Sequence, residues 1–303
     1  MKATTPRIVL VYLLLCLIWG STWLGIRASL ESLTPFISSG FRFLVASLLI
    51  FIIMRMRGMT LQKNKLALKL YFYMGVFSFI IAFGLVYWGE QYVPSGLASV
   101  LFGVYPFFVA LLSYFFIPDD TIGIYKIIGM VLGFFGIIVI FSDSFGSDIN
   151  LNILGMIAIV LSGIVQAVIA VLIKKQGKSL NPLSMNFIPM LIAGIGLTLL
   201  GFIFEDASTI KIDSTAIISV LYLSLFGSVV TFTSFYWLMK RVNVVLLSLI
   251  AFITPIVALF LGWLFYNEQL TQEHLIGASM VLVGLLIANL QSLIKMKTYK
   301  YKM

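Results

Sequence analysis

Residues 87–116 read YWGEQYVPSGLASVLFGVYPFFVALLSYFF and residues 236–265 read YWLMKRVNVVLLSLIAFITPIVALFLGWLF. Laid one on the other at an offset of 149 positions, Tyr87-Trp88 meets Tyr236-Trp237, Val93 meets Val242, Pro106 meets Pro255, Leu112 meets Leu261 and Phe116 meets Phe265. After a gap of one residue, Asp120, Gly129 and Gly136 meet Glu268, Gly277 and Gly284. The chain therefore reads as a duplicated unit, and a repeat of this kind decides the architecture before any single element does.

What each unit contains follows from solvent. Hydrophobic residues make up 61% of the chain and charged residues 10%, against roughly 45–50% and about 25% in ordinary soluble domains. The few charges are bunched between long apolar runs, so lipid is the expected solvent. A helix needs about 20 apolar residues to cross the hydrocarbon core. Ten runs qualify: Ile8 to Ile26, Phe36 to Met54, Leu70 to Gly89, Ser95 to Phe116, Ile124 to Phe141, Ile153 to Ile173, Leu183 to Phe204, Ala216 to Met239, Val244 to Tyr266 and Leu275 to Ile294. The first runs into Trp19-Gly20-Ser21-Thr22-Trp23 rather than a small-residue cleavage site and reads as a retained helix.

The basic residues orient these spans. With the N-terminus cytoplasmic, 17 of the 20 lysines and arginines fall inside, Arg27 and Lys211 fall outside, and Arg42 lies within a helix. Both termini then face the cytoplasm, which demands an even number of spans. The net charge of +9 is thereby a topology signal, and no motif for nucleic acid accompanies it. The expectation is an all-α integral membrane protein of the inner membrane, multi-pass, with ten transmembrane helices as two inverted five-helix repeats, residues 1–145 and 146–303. Five spans per unit, an odd number, turn the second unit upside down. Inverted repeats let two half-structures exchange shape and open a shared site to alternate sides of the bilayer.

Several short motifs now stand in order: Leu17-Ile18-Trp19-Gly20-Ser21-Thr22-Trp23, Phe41-Arg42-Phe43, Tyr105-Pro106-Phe107, Thr254-Pro255-Ile256, and Glu268 followed by Gly277. Over nearly the whole chain this order resembles the EamA-type members of the drug/metabolite transporter superfamily. The resemblance implies a ten-helix exporter or facilitator of small metabolites, such as amino acids and related amphiphilic solutes, with a central cavity enclosed by both halves. Asp120 stands where that family usually has glutamate, beside Pro118-Asp119, so the loop after the fourth helix departs from the pattern. A flippase for a lipid-linked sugar and a multidrug efflux protein are the alternatives.

Among single residues, Arg42 says most. It lies seven positions after Pro35, about 10 Å into the membrane at 1.5 Å per residue. A charge there costs at least ~2.5 kcal/mol unless it faces a partner or water. It is read either as an anchor for a solute carboxylate or phosphate, or as a structural cation pairing with Glu90 or main-chain carbonyls. Glu90, four residues before Pro94, is a candidate ion-pair or proton site, with a headgroup-level position the commoner outcome. Trp19, Trp23, Tyr87, Tyr105 and Tyr236 are candidate solute-binding residues, since such rings form apolar walls with polar tips, and Thr254 is a candidate as a neutral hydrogen-bonding side chain. Trp88 and Trp237 lie near helix ends and read first as interface anchors. Pro106 and Pro255, at matching midpoints, each remove a backbone hydrogen bond and are expected to bend their helices as hinges or cavity-shaping points.

No Asp or Glu falls near the middle of any run, which disfavours proton-coupled efflux of lipophilic cations and favours a neutral or zwitterionic solute moved down its gradient. With one histidine and one cysteine, neither a metal nor an enzymatic site is expected, and no cofactor. The expected partners are a small-molecule solute and the bilayer; a homodimer is left open.

Overall fold

The computed structural model describes residues 5–117, 122–142, 150–177, 180–239, 241–242, 247 and 249–300, with backbone only at Thr5, Tyr236, Met239 and residues 291–300. Asp119, Asp120 and the start of the ninth run at Val244 lie outside the described residues. The apolar runs form α1 (Thr5–Ser29), α2 (Pro35–Met56), α3 (Lys65–Gly89), α4 (Ser95–Phe116) and α5 (Ile124–Ser142) in the first half. The second half holds α6 (Leu151–Gln176), α7 (Ser184–Phe204), α8 (Ser214–Phe235), α9 (Ile250–Tyr266) and α10 (Gln272–Lys300). All except α9 are at least 18 residues long and apolar enough to cross a bilayer.

Side chains are sorted for lipid. Leu10, Phe135, Leu199, Phe202, Phe260 and Leu264 are exposed, whereas Ser38, Ser39, Ser47, Ser162, Ser224 and Ser228 are buried. Helices in hydrocarbon gain nothing by hiding leucine from one another, so small and hydroxyl-bearing residues occupy their contacts and let backbones approach.

The contacts obey the repeat. α2 packs on α7, α4 on α9 and α5 on α10, each helix against its own counterpart. The pairing of α1 with α9 is matched by that of α6 with α4, and α3 on α6 and α7 by α8 on α1 and α2. The sharpest case is the α5–α10 seam. A Cβ on Gly284 would lie 2.5 Å from the Gly129 carbonyl oxygen, and one on Gly277 would lie 2.5 Å from that of Gly136. Gly129 corresponds to Gly277 and Gly136 to Gly284 in the repeat register. Equivalent residues thus exchange partners across an antiparallel crossing, which is what a two-fold axis relating inverted halves produces.

Two interruptions shape the bundle. In α4 the helix breaks at Gly103 and Val104 and restarts at Tyr105, so that Pro106 occupies the first turn of the restarted segment. There its missing N–H leaves no bond unmade. The break therefore precedes the proline rather than centring on it. Pro255, by contrast, sits inside the helical run of α9. The second interruption is absent from the sequence reading: α3 contains a π-helical stretch at Met74–Ala82, and α8 one at Leu225–Val230. The repeat register carries 74–82 onto 223–231, so both halves widen the same helix at the same level. Widened turns of this type concentrate at functional sites.

Candidate functional site

The site starts from how α2 is held. Its first turn has unpaired N–H groups, as every helix start does, and Thr34 provides no side-chain cap. Glu205, at the end of α7, supplies one: its carboxylate accepts from the Phe36 N–H at 2.8 Å and the Ile37 N–H at 3.2 Å. Glu268 does the same for α4, accepting from the Ser95 N–H at 2.8 Å and the Gly96 N–H at 3.0 Å. It reaches back because Asn267 ends α9 in the left-handed conformation, φ 48°, which asparagine tolerates better than most residues. Both clips join a carboxylate of the second half to a helix start of the first, with the favourable dipole sign.

Two turns into α2, Arg42 points into the bundle and is 3% exposed. Its Nε donates to the Ser228 hydroxyl at 3.2 Å, one terminal nitrogen to the Tyr87 hydroxyl at 3.2 Å, and the other to the Gly227 carbonyl at 3.3 Å. Gly227 and Ser228 belong to the π-helical turn of α8, and the Ser224 hydroxyl on the turn before donates to the Arg42 carbonyl at 2.9 Å. The guanidinium lies beside the edge-to-face pair of Phe43 and Phe83, 5.4 and 5.2 Å from their centroids. All three hydrogen-bond acceptors are neutral.

Glu90, directly after the end of α3, is 0% exposed. The cause is the residue before it. Gly89 lets the end of α3 press on α6, a Cβ there lying 2.8 Å from the Gly155 carbonyl oxygen, so the turn is roofed by neighbouring helices. Neither carboxylate oxygen of Glu90 takes a hydrogen bond from a described group. Arg27 donates to its main-chain carbonyl at 3.1 Å, and Arg27, Arg42 and Glu268 are the charges within electrostatic range of the carboxylate.

The aromatic candidates form a wall beside this cluster. Trp19 packs on Phe232 and Phe235, with centroids 6.2 and 5.4 Å apart. Trp23 packs on Phe102 at 5.6 Å, and Phe102 stacks on Tyr105. The buried group Ile26, Val86, Tyr87 and Leu223 receives both Trp23 and Phe83, so the wall and the arginine cluster are continuous. The Thr254 carbonyl lies against α1 at Gly20, while the Tyr236 side chain lies outside the described residues. Trp237 stands apart, beneath Arg241 at 4.2 Å and Arg7 at 5.7 Å. Beside the wall, a cleft of about 500 Å3 opens between α1, α8 and α9, lined among others by Ser21, Glu31, Ile218, Tyr222 and Tyr266.

The sequence reading missed Phe83, Phe102, the Gly227 carbonyl and the clip formed by Glu205. The available signal was Ser224 and Ser228, four apart and hence on one helical face.

With two symmetric halves and a buried cation between them in view, the comparisons with known proteins decide the family. The model of the EamA-like transporter family matches twice, at residues 6–142 and 153–290. The chain belongs to the EamA-like transporter family. It is a multi-pass membrane protein of a transporter family, as the sequence led one to expect. Among its relatives, the transporter YoaV of Bacillus subtilis is 27% identical over 279 residues, covering 92% of this chain and 95% of that protein. The inner membrane transporter YedA of Escherichia coli is 29% identical over 281 residues, covering 91% and 88%. A crystal structure with 16% identity superposes at a TM-score of 0.69 over 94% of this chain and 98% of the other, which shows the shared fold. Membership of this family makes the chain a membrane transporter.

Proposed function

We propose that this EamA-like protein carries small organic solutes bearing a carboxylate, amino acids and related amphiphilic compounds, across the cell membrane by alternating access between its halves. Arg42 anchors the carboxylate, and the wall of Trp19, Trp23 and Tyr105 receives the apolar part; Pro106 and Pro255 shape the cavity between them. The observation that carries this reading is a buried guanidinium whose hydrogen bonds all go to neutral groups on both halves. Such a cation has no hydrogen-bonded anion for the solute to displace, and its fork matches a carboxylate. The inner membrane is the expected location, with both termini cytoplasmic; the name of the relative YedA supports the location.

The test is uptake and counterflow in proteoliposomes against a panel of amino acids, small monocarboxylates and neutral metabolites. Carboxylates are expected to exchange, with Arg42→Ala raising their KM about tenfold or more, equivalent to a lost interaction of about 1.4 kcal/mol. Transport of carboxylates by Arg42→Ala with unchanged KM removes the anchor.

A second reading, a flippase for lipid-linked solutes, is favoured by the cleft, because Ile218 and Phe265 on its rim are 66% and 65% exposed toward lipid. Accumulation of a fluorescent lipid-linked sugar in the opposite leaflet would select it over the first.

A further inference from the structure

Glu90 makes no hydrogen bond to the anchor, yet its own setting is unusual. A carboxyl group with 0% exposure and no hydrogen bond to either oxygen from a described group is an expensive place to keep a negative charge. Two cations lie within range, Arg27 on α1 and Arg42 on α2, and one further anion, Glu268 after α9. Tyr87, one turn earlier on its own helix, shares its hydroxyl with Arg42. From α6, the remaining helix packed on this turn, the contact is made by Gly155 and Ile159, neither of them titratable. Burial and Glu268 push toward the neutral acid, while the two arginines hold the carboxylate. Burial prevails, so Glu90 holds a proton more readily than an ordinary glutamate, and the arginines oppose this only as far as their charge is not met by another anion.

We propose that Glu90 is a proton-binding site coupled to Arg42, so that a proton and a carboxylate solute occupy the protein together. The inference rests on the anchor reading for Arg42. In the unloaded protein, ionised Glu90 balances Arg42. An arriving solute carboxylate takes over as the counter-ion of the guanidinium, and Glu90 binds one proton to become the neutral acid. The site keeps one anion opposite Arg42 in both states, and no bond other than the carboxyl O–H is made. By linkage, the factor by which a proton strengthens solute binding equals the factor by which the solute strengthens proton binding. The chain would thereby carry a proton with each solute, in place of the purely downhill movement that the absence of a midplane acid suggested.

The experiment uses the full chain in liposomes with benzoate and L-phenylalanine as probes. Infrared difference spectra follow the carbonyl stretch of protonated carboxyl groups, and a pH dye inside the vesicles follows protons. Addition of benzoate is expected to produce a protonated-carboxyl band, and addition of L-phenylalanine, which has no membrane-permeant acid form, internal acidification. Apparent affinity should fall about tenfold per pH unit above the midpoint. Glu90→Gln should lose the band and the acidification and bind benzoate with an affinity independent of pH, whereas Glu90→Asp should keep the coupling with a displaced midpoint. Retention of the wild-type band and acidification in Glu90→Gln overturns the proposal. If neither probe binds to the wild type, the anchor reading fails by itself. The pH titration of the unloaded protein then still decides on Glu90: an infrared band that Glu90→Gln abolishes supports it, and a titration unaffected by the substitution sinks it.

Discussion

The Nε of Arg42 and the hydroxyl of Ser228, 186 positions apart in the chain, meet at 3.2 Å between the two halves. Ser228 also donates to the Leu223 carbonyl five residues back, at 3.1 Å, a spacing that only a widened helical turn provides. Arginine and π-helical turn are therefore one unit.

Removing single acceptors should expose that unit. Ser228→Ala and Tyr87→Phe are each expected to lower stability by about 1 kcal/mol, while the double variant should lose more than the sum, because Arg42 can re-aim only once. Thermal unfolding in detergent measures all three; strict additivity would show that the two acceptors do not share the guanidinium.

The inter-half clips predict a charge-specific effect. Glu205→Gln and Glu268→Gln keep an acceptor oxygen but lose the negative charge at a helix start, and each should cost about 0.5–1 kcal/mol. Hydrogen exchange at Phe36 and Ile37 should accelerate in the first variant alone, and at Ser95 and Gly96 in the second alone. Equal acceleration at both sites in either variant contradicts independent clips.

Close helix approach separates two glycines that look alike in sequence. Gly284→Ala puts a methyl against the Gly129 carbonyl and should cost about 1–3 kcal/mol, whereas a Cβ on Gly163 finds its nearest neighbour at 3.8 Å. Gly163→Ala should therefore stabilise the protein by about 0.5–1 kcal/mol, through the helix preference of alanine over glycine. A fall in melting temperature for Gly163→Ala refutes this.

Asp213 gives a pH signature. The Ala216 N–H at the start of α8 and then the Ser32 hydroxyl, both at 2.8 Å, hold its carboxyl below the usual aspartate range. A depressed value in the folded protein means stability that is present above the unfolded value of about 3.9 and lost as pH falls through the folded one. Wild type should melt above Asp213→Asn near neutral pH, and the gap should close in strong acid. A gap independent of pH would assign the effect to the cap geometry rather than to the charge.

Much of the architecture was legible because hydrocarbon imposes strict rules. The runs, their odd number per unit and the offset of 149 positions all follow from residues such as Tyr87, Pro106 and Gly129 and their counterparts. The site was legible only in part. Arg42 announced itself, since a charge seven residues into a span needs a reason. The burial of Glu90 did not, because it depends on Gly89 meeting Gly155 from another half. The π-helical turns left almost no trace either: no residue type enforces them, and Gly75, Ser224 and Gly227 merely permit them. The clip from Glu205 was hidden for the same reason as Glu90, its partner lying 169 positions away.

Those clips also dictate which way the molecule can swing. A helix whose first turn is gripped by a neighbour can rotate about the grip but cannot slide out of it, so the grip acts as a fulcrum. Pivoting α2, 22 residues long and hence about 33 Å, through ten degrees displaces its free end by about 6 Å while its gripped end stays in place. Lever geometry of this kind enlarges motion toward the face of the bilayer opposite Glu205 and Glu268.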